Sequence, residues 1–175
     1  ELINVKKEFT FTEIYGILSS YNYGLAKLIE DNKLKTGYAN NEAPKTQGDF
    51  AFNEIIRKYR NKVIYVDFWA TWCSPCREAI RLIAPIKEEL KNEDIVFLYI
   101  TDDSSPTNSY NSVIPSIKGE HYRLGSDQYN HLKQKFKITG IPHYALVDNK
   151  GRVVSTDFQL HGQQLKTKLL ELAKE

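Results

Sequence analysis

The stretch Val66-Asp67-Phe68-Trp69-Ala70-Thr71-Trp72-Cys73-Ser74-Pro75-Cys76-Arg77 joins two different textures. Its first part closes the apolar and aromatic run Val63 to Trp69, the mark of a strand buried on both faces of a sheet. Its second part opens a helical pattern, Pro75 to about Lys91, with Ile80, Ile83, Ile86 and Leu90 facing inward. Pro75 suits a first helical turn, where its missing N–H costs nothing. Cys73 and Cys76 thus lie where a central strand passes into a helix. Their spacing puts both sulfurs on one face of the first turn, a separation compatible with a disulfide. Free N–H groups and the positive end of the helix dipole favour a thiolate there. Such sites bring a cysteine pKa from about 8.5 into the range of roughly 3.5–7.5, and the thiolate is the nucleophile of disulfide exchange. Two inert, buried cysteines are the competing reading. A metal site needs about four ligands. His121, His131, His143 and His161 show no paired spacing, so no metal is expected.

Outward from this seam the pattern is mixed α/β. Ile95 to Ile100 reads as a second buried strand, parallel to the first. His143 to Val147 and Arg152 to Ser155 read as a hairpin joined at Asp148-Asn149-Lys150-Gly151. Helices are expected from Asp49, as its cap, through Tyr59, from Ser126 to Phe136, and from Gln163 to Lys174. Pro85 falls inside the helix after the cysteines and should kink it. Thr101 to Gly125 has no clear period and reads as an irregular insertion with a helical turn or more. Gly37 to Gly48, polar and containing Pro44, reads as a linker. Before it, Ile14, Ile17, Leu18, Tyr21, Leu25, Leu28 and Ile29 recur at helical spacing behind a Thr10/Glu13 capping box. Two parts follow: a helical extension, 1–38, and an α/β domain, 39–175.

Composition narrows the function. The chain has 175 residues, 41% hydrophobic and 26% charged, enough to bury a core. A net charge of +2 argues against nucleic acid as a partner. No apolar run approaches the roughly 20 residues of a membrane span. Two cysteines in all exclude a framework of structural disulfides. The chain contains no Met, so it reads as a processed product or a piece of something longer, with room for an anchor ahead of Glu1.

The stretch from Val66 to Arg77 resembles the active-site segment of thioredoxin-fold oxidoreductases. Gly140-Ile141-Pro142, followed by a strand, looks like the family's cis-proline loop. Ala43-Pro44 in the linker, the Thr71-Trp72 pair and the insertion after Ile100 look more like the extracytoplasmic TlpA/ResA-like branch than cytoplasmic thioredoxin. The resemblance covers about residues 40–175 and implies a thioredoxin-like fold: a central mixed β-sheet flanked by helices, here with an N-terminal helical extension. The chain departs from the branch in its Ser74-Pro75 pair and at Leu82, where many members carry a proline; here the proline is Pro85.

The resemblance implies a thiol–disulfide oxidoreductase outside the cytoplasm, in a bacterial periplasm or membrane-anchored facing it. Cys73 attacks a substrate disulfide and Cys76 resolves the mixed disulfide, so the dithiol needs no added cofactor. Protein thiols or disulfides are the expected substrates, with an upstream electron donor. Asp67 is costly to bury alone, and desolvation raises its pKa; it could take the proton of Cys76, or else be a solvated residue capping the loop. Pro142 is expected to lie cis against Cys73, leaving the Ile141 backbone to pair with an extended substrate; a plain strand-entry proline is the alternative. Trp72 is expected beside the nucleophile, contacting substrate or else packed in the core. Phe68, Trp69 and Tyr65 are expected in the core. A different class of function stays open: a redox-responsive binding module in which the dithiol only regulates a partner. A peroxidase does not fit, because the Thr-x-x-Cys element is absent: position 70 is Ala.

Overall fold

The computed structural model describes residues 10–33, 36–159 and 161–175. They fall into two compact units, the first ending at residue 35 and the second running from Thr36 to Glu175.

Among the described residues the first unit holds one helix, α1 (Phe11–Lys33). Its start is a reciprocal capping box: the Thr10 N–H donates to Glu13 Oε2 at 2.8 Å, and the Glu13 N–H donates to Thr10 Oγ1 at 3.3 Å. Ile14, Ile17, Leu18 and Tyr21 are exposed along it. The side chains of Leu25, Leu28 and Ile29 lie outside the described residues.

In the second unit the order is β1 (Tyr38–Asn41), α2 (Asp49–Arg57), β2 (Val63–Phe68), α3 (Ser74–Glu89), β3 (Ile95–Thr101) and α4 (Thr107–Val113). Then come β4 (Gly119–Arg123), α5 (Ser126–Lys135), β5 (His143–Val147), β6 (Val153–Ser155) and α6 (Gly162–Lys174). The six strands form one sheet in the order β1-β4-β3-β2-β5-β6. The β1–β4, β4–β3 and β3–β2 pairs are parallel; β2–β5 and β5–β6 are antiparallel.

Every residue of β2 is buried, and strand alternation divides them between two cores. Val63 and Tyr65 meet Ile80 and Ile83 of α3 and Leu165 and Leu169 of α6. Ile64, Val66 and Phe68 meet Phe52 and Ile55 of α2 and Leu132 of α5, with Phe136 just beyond it. The Phe52 and Phe136 rings pack edge to face, centroids 4.9 Å apart. Burying one such ring is worth roughly 1.5–3 kcal/mol.

The structure corrects three expectations. Tyr38–Asn41 is not linker but a short edge strand, held by β4 and by Asn41 Nδ2 donating to Glu120 Oε2 at 2.8 Å. The segment after Ile100 is not irregular. It contains α4, a 3-10 turn at Ile114–Ser116, and β4, an interior strand between β1 and β3. The polar side chains that hide β4 are all engaged: Glu120 accepts from Tyr59 Oη at 2.9 Å, and Arg123 Nε donates to the Ser105 carbonyl at 2.8 Å. The cap of α2 is Gly48, at φ 61°, and Asp49 is its first residue. Through Pro85, α3 remains one helix.

At Gly119 the left-handed φ of 132° coincides with close approach. A Cβ there would fall 2.6 Å from the Phe97 carbonyl oxygen and 2.9 Å from the Tyr99 ring. Gly119→Ala should therefore cost on the order of 2 kcal/mol or more in urea unfolding. A cost under about 0.5 kcal/mol, the level of an ordinary surface change, would refute the steric account.

Candidate active site

The loop leaving β2 turns at Trp69–Trp72 and enters α3 with Cys73 as the helix cap. Cys73 and Cys76 are disulfide-bonded, with Cα atoms 5.3 Å apart. The Cys76 N–H points at Cys73 Sγ from 3.2 Å, so the free donor of the first turn is spent on sulfur. Cys73 is 4% exposed and Cys76 fully buried, while Ser74 and Pro75 between them face solvent. This is the oxidised form of the pair.

The loop before β5 meets this sulfur. The Ile141–Pro142 peptide is cis, and the Ile141 carbonyl oxygen lies 3.8 Å from Cys73 Sγ. Ile141 and Pro142 are half-buried and line one side of the disulfide. Trp72 is 63% exposed beside it; Trp69, Phe68 and Tyr65 are buried.

Sequence reasoning missed what holds Trp72. Its indole N–H donates to Ser104 Oγ at 3.1 Å, and Ser104 Oγ donates to Asp102 Oδ1 at 2.5 Å. The next residue, Ser105, accepts from the Thr71 N–H at 3.0 Å and is itself bonded to Thr101 Oγ1 at 2.7 Å. The segment after β3 thus grips the cysteine loop from behind. Two serines flanked by Asp and Pro are a turn signal, but nothing in that signal names the indole as partner.

Asp67 lies on β2 with the parity of Val63 and Tyr65, on the α3 face shared with both cysteines. It is 2% exposed, and its Oδ1 has no protein hydrogen-bond partner. Burial pushes its carboxyl up to about 8, against an opposing pull from Lys87. Lys87 is the second residue the sequence reading passed over. It is buried on α3, where desolvation pulls its ammonium down to about 7, with Asp67 resisting. Its signal was positional: 87 continues the inward stripe of Cys76, Ile80 and Ile83. Among the described residues, no cluster of three His, Cys, Asp or Glu side chains suits a metal ion.

The raised carboxyl has a consequence for stability. Its affinity for protons is higher folded than unfolded, so its contribution is complete below about pH 4 and is lost as pH rises toward 8. Asp67→Asn removes that loss. The stability gained by the variant over the parent should grow between about pH 5 and about pH 8, on the order of 1.4 kcal/mol per pH unit, in thermal or urea melts. A difference that stays flat over that interval would mean the native carboxylate is already ionised or solvated.

Residues 61–153, just over half of the chain, match the Thioredoxin_8 family, described as thioredoxin-like. The chain is 26% identical over 132 residues to thiol:disulfide interchange protein HelX of Rhodobacter capsulatus, covering 72% of this chain and 71% of that one. It is 21% identical over 121 residues to thiol-disulfide oxidoreductase ResA of Bacillus thuringiensis, covering 69% and 66%. In fold it is similar to the thioredoxin domain of a thiol-disulfide oxidoreductase from Bacteroides vulgatus. There the TM-score is 0.58 at 21% identity, over 67% of this chain and 84% of that one. Family and relatives converge on the strand-to-helix seam where the sequence reading began: the chain belongs to the thioredoxin-like Thioredoxin_8 family and is a thiol–disulfide oxidoreductase.

Proposed function

We propose that the chain reduces disulfides of protein substrates outside the cytoplasm, with Cys73 as nucleophile, Cys76 as resolving thiol and Asp67 as the group that takes the Cys76 proton. The observation that carries the proposal is the disulfide at the start of α3, facing the Ile141–Pro142 loop. The names of HelX and ResA support the exchange chemistry, and the resemblance to the TlpA/ResA-like branch supports the compartment.

The steps follow from the surroundings of each sulfur. In the reduced protein the Cys76 N–H and the start of α3 stabilise a thiolate on Cys73. That thiolate attacks one sulfur of a substrate disulfide; the substrate S–S bond breaks, its other sulfur leaves as a thiolate, and a mixed disulfide forms. Cys76, fully buried, is a poor acid by itself. A carboxylate with an affinity near 8 matches a thiol closely enough to accept its proton. The Cys76 thiolate then attacks Cys73 Sγ, the second substrate sulfur departs, and the Cys73–Cys76 disulfide is restored. Two electrons have passed to the substrate, and an upstream dithiol donor must return them. The exchanging group is the cysteine pair itself. Ile141 offers its backbone and Trp72 its indole face beside the disulfide, where an extended polypeptide fits. Among the described residues no helix is long and apolar enough to cross a membrane.

Trapping tests this. Cys76→Ser stalls the reaction at the mixed disulfide, so extracts of the extracytoplasmic compartment should yield covalent adducts on non-reducing gels. Cys73→Ser/Cys76→Ser should lose them. The parent should also turn over insulin disulfides with dithiothreitol. If Cys76→Ser gathers no more adducts than the double variant and insulin is not reduced, a redox-regulated binding module replaces the enzyme.

A further inference from the structure

The end of the sheet opposite the cysteines carries a recess of about 480 Å³. β2 begins there at Val63 and reaches the cysteine end at Phe68, about 17 Å on. β5 runs the other way and finishes at Val147, beside Ile64. Two segments wall the recess: the turn from α2 into β2, and the turn between β5 and β6. Each brings cations. Arg57 closes α2, Arg60 follows beyond the helix, and Lys150 sits at the hairpin tip.

This charge is uncompensated. The carboxylate that lines the recess is Asp148, and it is already spent. Its Oδ1 accepts from the N–H groups of Lys150 and Arg152 at 3.0 and 2.8 Å, and its Oδ2 takes the Arg152 guanidinium at 2.7 Å. Among the described residues, the side chains of Arg57, Arg60 and Lys150 have no hydrogen-bond or ion-pair partner. Basic groups elsewhere do: Arg81 meets Glu78 at 2.6 Å, Lys118 meets Glu88 at 2.8 Å, and Lys166 meets Glu89 at 2.6 Å.

The three cations are held from behind. The Tyr59 hydroxyl, between Arg57 and Arg60 in the chain, donates to Glu120 Oε2 at 2.9 Å. Asn61 turns the chain at φ 64°, and the Lys62 N–H closes back on the Tyr59 carbonyl at 3.2 Å. The Gly151 N–H returns to the Asp148 carbonyl at 3.0 Å and fixes the hairpin tip. The backbones that carry the charges are therefore set before any ligand arrives.

We propose that this recess binds a phosphomonoester. Two guanidiniums present planar forks that match phosphate oxygens bidentately, and the ammonium adds a point charge. Three positive charges suit a dianion better than a carboxylate, which one arginine satisfies. Asn53, Asn61 and Asn149 line the same recess and add amide N–H donors for the remaining oxygens. The volume exceeds that of a bare phosphate and leaves room for the body of an ester.

One contribution runs the other way: α2 ends here, and the C-terminal end of its dipole repels an anion. That end carries about half a negative charge, and three whole cations outweigh it. The Ile55 and Ile56 carbonyls are also taken already, by the N–H groups of Lys58 and Tyr59. Complementing the dipole accounts for Arg57 alone. Arg60 lies past the helix and Lys150 on a separate segment.

A soluble ester and a lipid headgroup present the same phosphate, and the test separates them. Titration calorimetry with glycerol 3-phosphate probes the soluble source. Cosedimentation with phosphatidylcholine vesicles, with and without phosphatidic acid, probes the lipid one. Binding of glycerol 3-phosphate, or of the vesicles only when they contain phosphatidic acid, supports the site and names its source. Arg60→Gln and Lys150→Gln should each weaken that binding about tenfold. Lys133→Gln removes the same charge from the exposed side of α5 and should leave it unchanged. Insulin reduction should run at the parent rate in all three variants, so this site and the redox reading fail separately. Binding of neither probe, or an equal loss in Lys133→Gln, would overturn the proposal.

Discussion

β2 has two faces and both are buried, so parity alone assigns each of its residues to one core or the other. That constraint orders the molecule. The even residues are apolar and seal α2 and α5 to the sheet. The odd residues are Val63, Tyr65 and Asp67, and the last of them brings a carboxyl into the layer where α3 places both cysteines. A strand with one solvated face would let Asp67 keep its water. Here it cannot, and its raised proton affinity follows from where the strand runs.

The same geometry explains how a reactive pair is kept in a stable domain. The strain-free part is the helix: Cys73 occupies a cap position, and the Cys76 N–H that would otherwise lack a partner finds sulfur. The costly part gathers Asp67, Lys87 and His121, three ionisable groups in one buried layer, each displaced by burial in the direction of its neutral form.

Much of this was legible in the residues. The cysteine seam, the β2 and β3 strands and the hairpin follow from runs and spacings with a direct physical meaning. The edge strand β1 was not legible, because four residues containing two Asn carry no apolar alternation and exist as a strand by pairing with β4. β4 was hidden by Glu120, His121 and Arg123; Glu120 and Arg123 find their partners in distant segments, and His121 finds its own at the Ile117 carbonyl just before the strand. Gly48 displaced Asp49 as the cap of α2 through a left-handed backbone that the composition of the loop did not single out. Lys87 was obscured by residue type: its position in the inward stripe was readable, but a lysine is ordinarily assigned to water.

The bonds that run from Ser104 and Ser105 to Trp72 and Thr71 make the segment after β3 part of the same mechanical unit as the cysteine loop. Inheritance of the chemistry is then not a matter of the Cys-Ser-Pro-Cys tetrapeptide. A chimera that transplants that tetrapeptide with its tryptophan onto another thioredoxin-like scaffold carries the sulfurs across but leaves the indole untethered, free to rotate over the disulfide. The loop and the turn behind it must travel together, and substitutions in one are tolerated only as far as the other can follow.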